Sequence, residues 1–137
     1  VKGRIVEEDL RESGVRAHLN LGHTFAHALE TVTGFAAVTH GEAVAWGLAR
    51  AAELSVREGY ADAAYSRRVG ALLASYGYDA APRAELAEEL LAAMQRDKKR
   101  TGARVRFVLQ RGPADTLVTE VDATNLQAVL AGRGTRP

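Results

Sequence analysis

The chain has 137 residues, of which 47% are hydrophobic and 26% are charged, and its formal net charge is +1. The composition is that of one globular domain, and the near-neutral charge argues against a nucleic-acid surface because no basic stripe is present. No apolar run approaches the roughly 18 residues of a membrane span, and the first residues lack a signal-peptide pattern. Because there is no cysteine, disulfides, Cys-bound zinc and thiol catalysis are excluded. We expect a cytoplasmic protein without nucleic-acid or membrane partners.

Three helices are predicted in the first sixty residues. A short helix covers residues 4–12, and a second covers 23–33, where apolar or small residues recur with helical spacing. A third is predicted over 40–58, because Thr39 is a good N-cap and Glu42 stands at the third position after it, as a capping box requires. The predicted apolar side of this third helix consists of Val44, Leu48, Ala51, Ala52 and Val56.

Two further helices are predicted over 62–76 and 84–95, followed by a polar break at 97–102 (DKKRTG). The alternation around Phe107 then predicts a strand. The remaining predicted features are a turn at Gly112-Pro113, a second strand at Thr116–Val121 and a last helix after the N-cap Asp122.

All four histidines lie between positions 18 and 40: His18, His23, His27 and His40. On a helix, His23 and His27 share one face with Cβ atoms about 6 Å apart, and His40 begins the next helix after a short loop. Three histidines would suit a catalytic zinc with an open position, and two with an outside carboxylate would serve equally. The same spacing also fits an ordinary polar helix face. No HExxH is present, which argues against a zincin protease.

Other polar groups flank this segment. Asn20 can both donate and accept hydrogen bonds, and the cations Lys2, Arg16, Lys98 and Lys99 could hold a phosphate or carboxylate. Without an anionic substrate each is a solvated surface charge. Next to the histidines, the glycines at 22 and 41 allow either a close backbone approach or simple helix-end geometry.

The segments LNLGHTFAHALE and HGEAVAWGLARAAEL resemble the 3-dehydroquinate synthase family, whose pattern reads close to LNxGHTxGHAxE and HGEAVAxGM. The upstream stretch KGRIVEEDLRESGVRAHLN and the downstream stretch MQRDKKRTGARVRFVLQRG are also similar to that family, in matching order. The resemblance spans residues 1–112. Ala26 replaces the usual glycine and Leu48 the usual methionine, which leaves a sister sugar-phosphate cyclase open.

The resemblance implies a mainly α fold: the helical C-terminal domain of that family with a small β-hairpin, in one domain over residues 1–137. The N-terminal Rossmann-like domain that binds NAD would be absent from this chain, and no dinucleotide fingerprint is found in it. The family converts DAHP to 3-dehydroquinate and phosphate in the shikimate pathway of aromatic amino acid biosynthesis, with Zn²⁺ (or Co²⁺) and catalytic NAD. The family tends to be dimeric. We expect the chain alone to be inactive and to bind zinc weakly.

By motif position, His23 and His40 match the two histidine metal ligands, and the third ligand is a glutamate of the N-terminal domain. His27 matches a histidine that contacts the substrate and is linked to phosphate elimination. His18 lies outside the motif, and we expect it on the surface or behind the site residues. The resemblance implies substrate-binding roles for Lys2, Arg16 and Asn20 and a catalytic role for Lys98, which we favour over Lys99.

Three alternatives remain. One is a related cyclase acting on another phosphorylated sugar, and another is a metal-dependent alcohol dehydrogenase of similar architecture. Lys2, Arg16 and Asn20 argue for an acid-phosphate substrate over a glycerol-like alcohol. The third is a non-catalytic helical module that uses the histidines structurally or to bind a partner.

Overall fold

A computed structural model describes residues 21–34, 37–101 and 106–133, and it describes the side chains of all of these except 97–101. The predicted fold class, mainly α with a small β-hairpin, is confirmed. The predicted helix at 4–12 lies outside the described residues. The described elements are α1 (His23–Thr33), α2 (His40–Arg57), α3 (Ala63–Ser75), a 3-10 helix (Ala84–Leu86), α4 (Ala87–Thr101), β1 (Phe107–Gly112), β2 (Asp115–Thr119) and α5 (Ala123–Leu130).

Helix α1 has the predicted bounds because glycines flank it. Gly22 precedes it with φ 78°, and Gly34 follows it with φ 87°. Both values lie in the left-handed region that glycine adopts without a steric penalty. The amide of Gly34 donates to the carbonyl oxygen of Glu30 at 2.9 Å, which satisfies one of the last carbonyls of the helix.

Helix α2 begins with the predicted capping box. The Thr39 hydroxyl accepts from the amide of Glu42 at 3.1 Å, and the Glu42 carboxylate accepts from the amide of Thr39 at 2.9 Å. The backbone hydrogen bond from Thr39, followed by its side-chain hydrogen bond, lowers the pKa of Glu42 below its ordinary value of 4.5. The chain therefore enters α2 in a fixed direction, which positions His40 in the first turn.

The predicted apolar side of α2 is only partly right. Ala51 and Ala52 are buried, but Val44, Leu48 and Val56 are half-buried. The buried positions also include residues on other sides of the helix, namely Ala43, Trp46 and Leu54. The reason is that α1, α3, β1 and α5 all pack against α2. A helix that is surrounded in this way has no single apolar stripe.

The predicted polar break at 97–102 is wrong for residues 97–101, because α4 continues through Thr101. Lysine, arginine and glutamine have good helix propensity, and neither glycine nor proline interrupts this stretch before Gly102. The predicted start at Ala84 is a 3-10 turn that precedes the α-helix. Lys98 and Lys99 therefore lie on the end of a helix rather than in a loop.

The hairpin is antiparallel, with Phe107 opposite Thr119 and Leu109 opposite Leu117. The second strand begins and ends earlier than predicted, and Asp122 caps α5 as predicted by accepting from the amides of Thr124 and Asn125. A buried hydroxyl on α2 joins the hairpin to the helices: Ser55 accepts from the amide of Gln110 at 3.1 Å and donates to the carbonyl of Ala51 at 2.8 Å.

The core lies where α1, α2 and β1 meet. The ring of Phe25 contacts Trp46 edge-on, with centroids 6.2 Å apart, and Phe107 at 5.2 Å. Leu90 and Met94 of α4 and Leu126, Val129 and Leu130 of α5 are buried in the same cluster. Among the described residues, no helix is both long and apolar enough to cross a bilayer.

Candidate functional site

The beginning of α1 lies directly against the middle of α2 through two glycines. A Cβ on Gly47 would lie 2.2 Å from the carbonyl oxygen of Gly22, and a Cβ on Gly22 would lie 2.8 Å from the amide nitrogen of Leu48. Neither position has room for a side chain, so the close approach considered for Gly22 is real. A Cβ on Gly41 would meet the Tyr78 hydroxyl at 3.8 Å, which is ordinary contact, so Gly41 makes no close approach.

This contact brings three histidines together. The ring centroids of His23 and His27, one turn apart on α1, are 6.3 Å apart, and those of His23 and His40 are 6.0 Å apart. The sequence predicted the first proximity from helical spacing, whereas the second depends on how α1 and α2 pack. His23 is half-buried and occupies the centre of the group, while His27 and His40 are exposed.

Two of the rings are oriented by hydrogen bonds at Nδ1. His23 donates from Nδ1 to the carbonyl oxygen of Leu21 at 3.3 Å, and His40 donates from Nδ1 to Oε2 of Glu30 at 3.3 Å. A carbonyl oxygen can only accept, so Nδ1 of His23 carries a proton, and in the neutral ring Nε2 is then the nitrogen with the lone pair. The neutral form of His40 in the same contact also leaves Nε2 available.

The ring nitrogens of this group are of a type that binds metal ions. Neutral imidazole nitrogen is a standard zinc ligand. Two rings bound to one tetrahedral zinc have centroids roughly 5 Å apart, given Zn–N bonds of about 2.0–2.1 Å, so the rings of His23 and His40 are about 1 Å too far apart. The described residues contain no group of three His, Cys, Asp or Glu side chains arranged to hold a metal. They therefore offer donors toward a metal but not a complete set of ligands.

The positions or side chains of the other predicted site residues are not among those that the structure describes. Lys2, Arg16, Asn20 and His18 lie outside the described residues. Lys98 and its neighbour Lys99 lie on the last turns of α4, where the side chains are not described. The structure thus brings together His23, His27 and His40 from the predicted set.

Sequence reasoning missed Glu30, although a signal was present. Glu30 follows His23 by seven residues and His27 by three, so all three lie on the same face of α1. A glutamate there is 8% exposed, among residues that are otherwise apolar. An acid that interrupts the buried side of a helix and shares a face with histidines is a reason to look for an interaction between them.

A second polar cluster on α2 was also missed. Arg50 is 2% exposed, and its Nη2 donates to Glu53 at 2.6 Å and to the carbonyl of Ala80 at 2.8 Å, while its guanidinium carbon lies 5.5 Å from the Trp46 ring centroid. Within the described part of the chain, Nε and Nη1 of Arg50 have no hydrogen-bond partner. Burial lowers the pKa of Arg50 and raises the pKa of Glu53, and their attraction partly offsets both changes.

Solved structures share this fold. A crystal structure of 2-deoxy-scyllo-inosose synthase complexed with carbaglucose-6-phosphate, NAD+ and Co2+ superposes with a TM-score of 0.79 at 22% identity, covering 98% of this chain and 38% of that one. A second structure of 2-deoxy-scyllo-inosose synthase gives a TM-score of 0.75 at 24% identity, covering 98% of this chain and 37% of that one.

Sequence relatives are closer. The 3-dehydroquinate synthase of Rhodospirillum rubrum is 48% identical in an alignment that covers 94% of this chain and 36% of the relative. The 3-dehydroquinate synthase of Teredinibacter turnerae is 43% identical, over 97% of this chain and 37% of the relative. That of Pelobacter propionicus is 42% identical, over 92% of this chain and 35% of the relative. The chain thus spans little more than a third of the length of these curated relatives.

The family whose sequence model matches residues 1–100 is described as 3-dehydroquinate synthase C-terminal. This match covers most of the chain, and it includes both histidine-bearing helices. The chain therefore belongs to the 3-dehydroquinate synthase family and corresponds to the C-terminal part of its members.

Proposed function

We propose that this chain is the metal- and substrate-binding part of a 3-dehydroquinate synthase, which converts DAHP to 3-dehydroquinate and phosphate. The observation that carries the proposal is the assembly of His23, His27 and His40 by the contact between α1 and α2. Relatives at 41–48% identity over most of the chain support the assignment. Residues 1–137 would form one domain that completes its active site with an N-terminal NAD-binding domain.

In this proposal His23 and His40 hold a metal, Zn²⁺ in preference to Co²⁺, and a glutamate of the N-terminal domain is the third ligand. The contacts at Nδ1 of both rings support the assignment, because in the neutral imidazole they leave Nε2 as the nitrogen that can bind a metal. The Co2+ named with the solved 2-deoxy-scyllo-inosose synthase supports it as well. When bound, the metal would supply Lewis acidity toward the alcohol that is oxidised, and NAD would supply hydride transfer.

The chain's own residues bind the substrate and move protons. His27 is exposed beside His23, so it can hydrogen-bond an oxygen of the substrate and hold a proton near the departing phosphate. Lys2, Arg16 and Lys98 supply positive charge for the carboxylate and phosphate, and Asn20 orients the sugar hydroxyls. The substrate class is therefore an anionic sugar phosphate. We further propose a homodimeric, cytoplasmic enzyme.

The test is reconstitution. The chain is assayed for phosphate release and 3-dehydroquinate formation from DAHP with NAD and Zn²⁺, alone and joined to the N-terminal part of the Rhodospirillum rubrum relative. We expect no turnover by the chain alone and turnover by the joined protein. Turnover by the chain alone would contradict the proposal, as would a folded, metal-loaded joined protein without any activity on DAHP.

A sister sugar-phosphate cyclase is the second candidate, favoured by the fold shared with 2-deoxy-scyllo-inosose synthase at a TM-score of 0.79. The same joined protein distinguishes the two when glucose 6-phosphate replaces DAHP. Turnover of glucose 6-phosphate with none of DAHP would select the second candidate. Metal binding without turnover of either would instead favour the non-catalytic module.

A further inference from the structure

We propose that Glu30 is a positioning residue for His40: its carboxylate accepts the Nδ1 proton of the imidazole and thereby directs Nε2 toward the metal. The metal-ligand role of His40 is taken from the proposed function, so this inference rests on it. The orientation and tautomer of the ring, in contrast, follow from a contact within the described residues.

The geometry pairs a buried acceptor with an exposed donor. The Glu30 side chain is 10% exposed, whereas the His40 side chain is 63% exposed, and Oε2 lies 3.3 Å from Nδ1. An exposed imidazole in the first turn of a helix has freedom to rotate. A hydrogen bond to a carboxylate on the buried side of α1 removes much of this rotational freedom. The ring is therefore held where the two helices meet.

The buried position of Glu30 is costly unless the carboxylate has a partner. A carboxylate removed from water needs hydrogen bonds or an opposite charge, and an apolar side chain of similar size would avoid that requirement. The neighbouring Ala28 and Leu29 are buried and apolar. A glutamate in this setting is therefore better explained by what it does for His40 than by packing.

The two proposed ligands are oriented by different groups. His23 donates its Nδ1 proton to a backbone carbonyl, that of Leu21, and His40 donates its proton to a side chain. Metal-binding histidines generally donate their second ring N–H to a carbonyl or carboxylate, which fixes the tautomer and raises the basicity of the ligating nitrogen. Because one of the two orienting groups is a side chain, substitution can test it.

The first measurement needs no metal. Long-range ¹H–¹⁵N spectra of the histidine side chains, recorded on the chain at pH 9, identify the tautomer of His40. We expect the Nδ1–H form in the wild type and in Glu30→Gln, whose amide oxygen still accepts. In Glu30→Leu the Nε2–H form, which free imidazole favours, should increase. Glu88→Leu on the exposed side of α4 is the matched control and should leave His40 unchanged.

An Nε2–H tautomer of His40 in the wild type would overturn the inference, and so would an unchanged tautomer in a folded Glu30→Leu. If Glu30→Leu fails to fold, the wild-type and Glu30→Gln spectra still decide. A purely structural role for Glu30 would change stability but would not move the proton between the two ring nitrogens.

The second measurement is the affinity of the joined two-domain protein for Co²⁺, by competition with a chelator. Loss of a carboxylate behind a metal-binding histidine typically weakens binding by about 10- to 100-fold, which we expect for Glu30→Leu, with recovery in Glu30→Gln. Unchanged affinity in Glu30→Leu would contradict the inference. Failure of the wild type itself to bind Co²⁺ would contradict the proposed function. The tautomer spectra would still test the role of Glu30 independently.

Discussion

Helix α2 contributes to two polar clusters, one open to solvent and one buried. The histidine cluster (His23, His27, His40 and Glu30) joins α1 to the first turn of α2, and its rings are half-buried or exposed. The described residues place a hydrogen-bond partner at Nδ1 of His23 and His40 and none at Nε2. The arginine cluster (Arg50, Glu53 and Trp46) lies in its middle, where a buried guanidinium is closed off by the Ala80 carbonyl and the indole ring.

The two clusters differ in the direction that their polar atoms face, which distinguishes a packing role from a binding role. In the arginine cluster the charged group faces the protein, so its interactions serve the attachment of the segment around Ala80 to α2. Trp46 strengthens the same attachment by donating to the carbonyl of Ala81 at 3.1 Å. In the histidine cluster the contacts at Nδ1 hold the rings of His23 and His40 from behind, and within the described residues Nε2, the atom proposed to bind a metal, has no hydrogen-bond partner. An open, oriented donor set is what a binding site requires.

The largest expected effect is on metal binding by the histidine cluster. Loss of an orienting group costs about 10- to 100-fold in affinity, so loss of a ligand should cost roughly 100-fold or more. We expect that effect for His23→Ala and His40→Ala in the joined protein, measured by metal content and chelator competition. His27→Ala should keep the metal but lose turnover, and His18→Ala should change neither. Normal zinc content in His23→Ala would refute its role as a ligand.

The next effect tests the contact that assembles the cluster. Gly47→Ala would place a methyl group 2.2 Å from the Gly22 carbonyl oxygen, so the helices must separate. Overpacking of this kind costs about 1–3 kcal/mol, and we expect a decrease in the free energy of urea unfolding near the upper end.

Gly70→Ala on α3 is the matched control, because a Cβ there meets nothing within 4 Å. Alanine in a helix interior is favoured over glycine by about 0.5–1 kcal/mol, so this variant should be slightly more stable than wild type. Equal stability of the two variants would contradict the close approach of α1 and α2.

A smaller effect is expected in the arginine cluster. Glu53→Ala leaves Arg50 buried with only the Ala80 carbonyl as a hydrogen-bond acceptor for Nη2. Breaking a fully buried pair costs about 3–5 kcal/mol, but the Glu53 side chain is 26% exposed, so we expect about 2 kcal/mol by urea unfolding. Arg50→Met removes the charge altogether and should cost less, about 1 kcal/mol. A larger loss in Arg50→Met than in Glu53→Ala would show that the arginine is needed for more than this pair.

The smallest effect concerns the capping box of Thr39 and Glu42, which lie on either side of His40 in the sequence. The pKa of Glu42 is lowered in the folded chain, so its contribution to stability is present above its ordinary value and is lost as the pH falls through the folded value. Glu42→Gln can keep the box without titrating. We therefore expect a smaller loss of stability between pH 5.5 and pH 3.5 in Glu42→Gln than in wild type, by urea midpoints.

Thr39→Ser is the control for this measurement, because it retains the capping hydroxyl and should keep the pH dependence of the wild type. If Glu42→Gln also kept that pH dependence, the carboxylate of the box would not be its source.

Features that depend on neighbours within one helical turn can be predicted from the amino-acid sequence. The glycines that end α1, the capping box of Thr39 and Glu42, and the one-turn spacing of His23 and His27 were all predicted. Backbone conformation and capping depend on nearby residues, so a local pattern is sufficient evidence for them. The polar composition of residues 97–101, in contrast, was misread as a break, because charged residues are compatible with both loops and helices.

Contacts between residues on different helices required the folded structure. The distance between His23 and His40, the contact of Glu30 with His40 and the burial of Arg50 all depend on how closely α1, α2 and the segment near Ala80 pack. Packing distance is set by the small residues at the contact and by everything that surrounds the helices. Histidine content thus indicated that a site was present, and the absence of side chains at Gly22 and Gly47 decided how it is assembled.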